Sequence, residues 1–175
     1  MYGRKLSGFA LFALVLAFVL QLAGCASRND VRVTTTFDPL AVFPVDGTYA
    51  WDDGANRLPK DPRLNTSADI DTLIRTAANE QFAAHGYRLI ESGKPDYLLS
   101  YEFAVYNWIA ADNSRSIGTV SLWLAEEATG NRVWVGYGRA EIHVGLTREE
   151  RQVRMSGAVA KMLEGFPPAQ RGDKK

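Results

Sequence analysis

Tyr97-Leu98-Leu99-Ser100-Tyr101-Glu102-Phe103-Ala104-Val105 decides the fold, because its side chains alternate without a break. Tyr97, Leu99, Tyr101, Phe103 and Val105 fall on one side, and Leu98, Ser100, Glu102 and Ala104 on the other. This is the signature of a half-buried strand. Downstream, Ile117 to Leu124 places Gly118, Val120, Leu122 and Leu124 on one face. Arg132 to Val144 does the same with Trp134, Gly136, Gly138, Ala140, Ile142 and Val144. The Ala128-Thr129-Gly130-Asn131 turn between these two runs predicts an antiparallel hairpin, so the three strands read as a meander. Tyr106-Asn107-Trp108-Ile109 is expected at the end of the first strand, entering a loop.

Upstream, Val31 to Phe37 is rich in β-branched residues and reads as a strand, and Gly47 to Trp51 as a second, shorter one. Gly54, Pro59 and Pro62 break Asp52 to Thr66 into the longest loop. A helix is predicted from Ser67, with Ile70, Leu73, Ile74, Ala77, Ala78 and Phe82 at helical spacing and Gly86 closing it. A short strand at Tyr87 to Ile90 precedes the meander. Thr147 with Glu150 three residues on is a capping box, opening a helix whose stripe is Met155, Val159, Met162, Leu163 and Phe166. Gly165 and Pro167-Pro168 end it. The expected fold class is α+β, a mainly antiparallel sheet with two helices packed on one face, spanning residues 31–168. No series of right-handed parallel crossovers is expected, hence no doubly wound nucleotide-binding sheet. Residues 169–175 read as a disordered polar tail.

The amino terminus carries a different message. Arg4 and Lys5 precede an uncharged apolar run from Phe9 to Leu20, and Leu22-Ala23-Gly24 leads directly to Cys25, the sole cysteine. The run suits a secretory signal and is shorter than the ~20 residues a membrane-spanning helix requires. The small residues before Cys25 resemble the bacterial lipobox. That resemblance implies lipid attachment at Cys25, cleavage of a signal peptide at residues 1–24, and a tether over residues 25–30. Ala26, where the enterobacterial sorting rule places Asp for inner-membrane retention, favours the outer membrane, with the domain facing the periplasm. One cysteine also precludes an internal disulfide.

Removing residues 1–24 from the 175 leaves 151, the size of one domain with a substantial core. The full chain balances 20 basic against 20 acidic residues, so losing Arg4 and Lys5 leaves the mature chain slightly acidic. No basic stripe marks it for nucleic acid, and membrane contact is expected through lipidated Cys25 alone.

Ordered motifs then add a family resemblance. They are Gly47-Thr48-Tyr49-Ala50-Trp51 after Phe37-Asp38 and Phe43-Pro44, His85-Gly86-Tyr87 with Pro95-Asp96-Tyr97, Gly118-Thr119-Val120, Thr129-Gly130-Asn131-Arg132-Val133-Trp134-Val135-Gly136, and Phe166-Pro167-Pro168. Over roughly Val31 to Pro168 the chain is similar to the bacterial lipoprotein family carried as domain of unknown function 4136. The resemblance implies the fold and an envelope location, and it transfers no catalytic residue. Tyr97 stands where the family usually has an aliphatic.

No catalytic constellation emerges. His85 reads as a helix-end or surface residue and His143 as a solvent-facing strand residue, and two histidines without thiols do not make a zinc site. No Gly-x-Ser-x-Gly occurs, Ser92 lies in a turn-like segment, and Gly136-x-Gly138 sits inside a strand, where close packing of Trp134 explains it. Asp52-Asp53, Glu126-Glu127 and Glu149-Glu150 read as solvated loop and helix-start acids, and Asn65-Thr66-Ser67 and Arg171-Gly172-Asp173 as chance matches. Tyr106 and Trp108 are the candidate partner contacts, since exposed aromatics anchor interfaces. The expectation is a noncatalytic, membrane-anchored lipoprotein without cofactor or metal, binding an envelope protein, glycan or lipid or supporting envelope assembly. The alternatives are an envelope hydrolase using loop acids such as Asp52 and Asp53, and a carrier of an apolar ligand between sheet and helices.

Overall fold

The computed structural model describes residues 31–58, 67–110, 113–143 and 145–168, with backbone only for 67–68, 108–110 and 113–115. The segments expected as signal peptide (1–24), tether (25–30, with Cys25) and tail (169–175), and most of the loop before Ser67, lie outside the described residues. The elements in chain order are β1 (Arg32–Phe37), β2 (Thr48–Trp51), α1 (Ser67–Ala84), β3 (Arg88–Leu89), β4 (Tyr97–Ala110), β5 (Asn113–Glu126), β6 (Arg132–Glu141) and α2 (Arg148–Leu163). They form one six-stranded sheet in the order β1-β6-β5-β4-β2-β3, with two helices, an α+β arrangement.

The predicted meander is present. β4 and β5 pair antiparallel from Tyr97↔Glu126 to Ala110↔Asn113, and β5 pairs antiparallel with β6. Gly130 at φ 71° makes the β5–β6 turn, closed by its amide on the Glu126 carbonyl. β1 adds antiparallel to β6.

The structure departs from the sequence expectation at three places. The sheet is mixed, because β2 runs parallel to both β3 and β4. The chain therefore leaves β2, passes through α1 and returns beside it, a parallel crossover that the sequence reading did not expect. Four residues in β2 and two in β3 are too few for periodicity to reveal their direction, which the intervening helix sets. Second, Tyr106-Asn107-Trp108-Ile109 is the paired end of β4 and does not enter a loop, since pairing continues to Ala110. The polar start of β5, Asn113 to Ser116, conceals a strand that backbone pairing sustains. β6 also ends sooner than predicted, at Glu141, which leaves His143 beyond the strand.

The core is one cluster. Ile74, Ala77, Ala78 and Phe82 of α1 and Val159, Met162 and Leu163 of α2 join Leu99, Tyr101, Leu122, Leu124 and Trp134 of the sheet. Glycines on β6 allow the close approach: a Cβ at Gly136 would lie 2.6 Å from the Trp134 ring, and one at Gly138 would lie 2.3 Å from Met162 Cε. Gly136-x-Gly138 is thus a packing feature. Phe166 closes the cluster, its ring 5.4–5.5 Å from those of Trp134, Phe82 and Phe43.

The predicted helix ends are also present. Gly86 at φ 85° follows α1, the Tyr87 amide reaches back to the Phe82 carbonyl, and the Gly86 amide reaches Ala83, the paired bonds of a Schellman cap. At α2 the Glu150 amide donates to Thr147 Oγ1 and Glu150 Oε2 accepts from the Thr147 amide, both arms of the capping box. Thr147→Ala removes one arm and should lower stability by about 1 kcal/mol, read by urea denaturation.

A side-chain clamp registers β2 against β4. The Thr48 amide and hydroxyl both donate to Asp96 Oδ2 at 2.7 Å, and the Asp96 amide donates back to Thr48 Oγ1 at 3.0 Å. The Thr48 hydroxyl first, and its amide second, hold the exposed Asp96 carboxyl below the ordinary carboxylate range. A depressed carboxylate contributes stability above its unfolded pKa and loses it as pH falls through the folded value. The stability difference between wild type and Asp96→Ala should therefore be largest near neutral pH and shrink below about pH 4, measured by denaturant titration across that range.

Candidate functional site

Asp53, one of the acids singled out from the sequence, is tied into an ion-pair cluster. Arg75 of α1 bonds Asp71 one turn earlier and Asp53 from the loop after β2, and its guanidinium lies 4.6 Å from the Trp51 ring centre. The Tyr101 hydroxyl donates to the same Asp71. Asn79 Oδ1 accepts from Tyr49 Oη at 2.9 Å and from Trp51 Nε1 at 3.2 Å. Burial raises the Tyr101 hydroxyl above its ordinary range, with the Asp71 bond adding to it; burial likewise pushes Tyr49 up to about 12. These groups stay protonated at neutral pH. The cluster joins α1 to β2 and β4, and Asp52 and Asp53 line neither cavity described below.

The remaining predicted residues are separate from one another. Tyr106 is 62% exposed on β4 opposite Ile117, while Trp108 pairs with Arg115 through the backbone and its side chain lies outside the described residues. β2 borders β4 only from Tyr97 to Leu99, and a bridge from Arg57 reaches Glu102. Among the described residues no strand covers the β4 edge beyond that bridge. On the other side, β6 accompanies β5 only from Ile117. The β4–β5 hairpin therefore projects from the sheet with Tyr106 at its base. His85 follows α1 with its ring edge-on to Phe166, and His143 is exposed after β6. Among the described residues no group of three or more His, Cys, Asp or Glu could hold a metal ion, and no helix is long and apolar enough to cross a membrane.

An apolar concavity stands apart from Asp52, Asp53 and Tyr106, which were singled out from the sequence as candidate site residues. A half-open apolar cleft of about 180 Å³ lies between the early turns of both helices and the sheet. Ile70 and Leu73 come from α1, Met155 and Ala158 from α2, Phe103 from β4, and Gly118, Val120, Gly138 and Ala140 from β5 and β6. Ala140 and Ala158 line it with side chains too small to fill the space between sheet and helices, whereas at Gly118 and Gly138 the Ile142 and Met162 side chains already occupy the room a Cβ would need. Val31, Ile142 and Leu146 complete the apolar wall, and Glu141, His143, Arg151 and Arg154 stand at its margin. Arg151 Nη1 donates to the Leu146 carbonyl at 2.6 Å and Arg154 Nη2 to the Glu141 carbonyl at 3.0 Å. A second, more polar concavity is lined by Val42, Pro44, Lys94, Asp96, Tyr97 and Glu127.

A mixed six-stranded sheet with two helices, and an apolar cleft between them, defines a small α+β module. The chain belongs to the family described as domain of unknown function (DUF4136), whose model matches residues 33–168. The PelC dodecamer from Paraburkholderia phytofirmans is similar in structure, with a TM-score of 0.50 and 15% identity over 76% of this chain and 94% of that one. A PDZ domain protein from Parabacteroides distasonis has a TM-score of 0.51 and 11% identity, covering 81% of this chain and 36% of that one. Lipoprotein GNA1162 from Neisseria meningitidis reaches 0.42 at 11% identity, over 68% of this chain and 99% of that one. At these identities the likeness shows the fold alone. No curated protein sequence matches the chain.

Proposed function

We propose that this protein is a noncatalytic lipoprotein of the bacterial envelope, held by lipid on Cys25 and presenting its domain to the periplasm from the outer membrane. The observation that carries the reading is the position of the sole cysteine directly after Leu22-Ala23-Gly24, six residues before the domain begins at Val31. Burial of acyl methylenes contributes about 0.8 kcal/mol each, and more than one chain makes attachment durable. The projecting β4–β5 hairpin, with Tyr106 and Trp108, is the surface offered to an envelope partner. Density-gradient fractionation of cell envelopes tests the placement. The protein should band with outer-membrane markers, and recovery in the soluble periplasmic fraction would contradict it.

The cleft favours a second reading, in which the module holds an apolar ligand between sheet and helices. Its wall is almost wholly hydrocarbon, and its volume slightly exceeds the ~150 Å³ of an apolar cavity that takes benzene.

A further inference from the structure

We infer that the cleft binds one acyl chain of a free, single-chain amphiphile with an anionic head, a fatty acid being the simplest. This rests on the apolar-ligand reading and names the ligand. Volume sets the chain number: about 180 Å³ admits the distal part of one hydrocarbon chain and excludes the paired chains of a diacyl lipid. Wall chemistry sets the chain type, since Ile70, Leu73, Phe103, Val120, Met155 and Ala158 offer no partner for a polar group. The margin sets the head. Arg151 and Arg154 are each oriented by a bond from one guanidinium nitrogen to a backbone carbonyl, which leaves further N–H groups of a five-donor fork for a carboxylate. The acids near this margin are Glu141, whose own carbonyl holds Arg154, and the exposed Glu149, which interacts electrostatically with Arg151.

Location favours a membrane source for the ligand. Val31, at the root of the tether, lines the cleft itself. The six residues 25–30 span at most about 20 Å when fully extended. A domain anchored at Cys25 thus keeps its cleft close to the bilayer surface, where single-chain amphiphiles partition.

The test uses the full chain in its own membrane. Cells producing it receive dodecanoic acid with a chain-terminal diazirine, are irradiated, and the labelled peptides are mapped by mass spectrometry. Label should concentrate on peptides carrying Ile70, Phe103 and Met155, and be displaced by unlabelled dodecanoate but not by a cationic amphiphile of equal chain length. Ala140→Leu and Ala158→Phe narrow the cleft from different walls. Each should lower labelling about tenfold, the effect of excluding two methylenes. Ala140→Leu at the open side serves if Ala158→Phe does not fold. Label spread evenly over the surface, or displaced equally by the cation, would overturn the proposal. Label at the cleft that appears only in Cys25→Ser would overturn it too, by showing that the protein's own anchor fills the site. Label at the cleft that the cation displaces equally would overturn the anionic head while leaving the apolar-ligand reading standing, and label spread evenly would end both, so the two fail separately.

Discussion

Phe82→Ala should lower unfolding stability by about 3–5 kcal/mol, among the larger effects of a single core truncation. Phe82 is fully buried on α1, and its ring meets those of Tyr49, Tyr87, Trp134 and Phe166 at centroid distances of 5.2–6.3 Å. Those rings come from β2, from the turn after α1, from β6 and from the segment after α2. Removing the shared ring leaves a cavity that none of the four can fill alone without losing its other contacts. For a domain of this size the melting temperature should fall by about 10 °C or more. Phe82→Leu, which keeps most of the volume, should recover much of the loss. Calorimetry on the two variants checks the account, and equal melting temperatures for wild type and Phe82→Ala would mean that the aromatic cluster does not hold the layers together.

Cys25→Ser should abolish durable membrane attachment through lipid. Serine has no thiol to take a diacylglycerol, and in lipobox-type processing the cut before residue 25 follows that modification. The variant should lose acyl modification completely, and any membrane association left should come from the retained apolar run Phe9 to Leu20. Carbonate and detergent extraction separate the cases. Wild type should partition into the detergent phase as a processed form, and the variant should be either unprocessed or soluble. The folded domain should be unaffected, because it begins at Val31 and its core contains no cysteine.

The parts of the fold that depend on regular patterns were legible in the sequence. The alternation of Tyr97 to Val105, the turn at Gly130, the stripe ending at Phe82, and the caps at Gly86 and Thr147 each follow from local stereochemistry, and each is present. The parallel course of β2 was not legible, because direction in a four-residue strand is decided by α1 and by the Thr48–Asp96 clamp, 48 residues apart in sequence. The extent of the β4–β5 hairpin was hidden for a related reason: backbone pairing carries Asn113 to Ser116, whose side chains carry no strand signal. The cleft was missed because it is a property of several elements at once. Its signal was nonetheless in the sequence, in the small side chains of Ala140 on β6 and Ala158 on α2, which both line it. Small residues on opposed faces of a predicted sheet and helix mean either close approach or space. At Gly138 the Met162 side chain makes the approach, and beside it the space remains.

Intact mass of the membrane-extracted wild-type protein tests the central claim most directly. The account predicts a chain that starts at Cys25 and carries the mass of three acyl chains. An unmodified chain, or one retaining residues 1–24, would contradict it, and the envelope placement would fall with it.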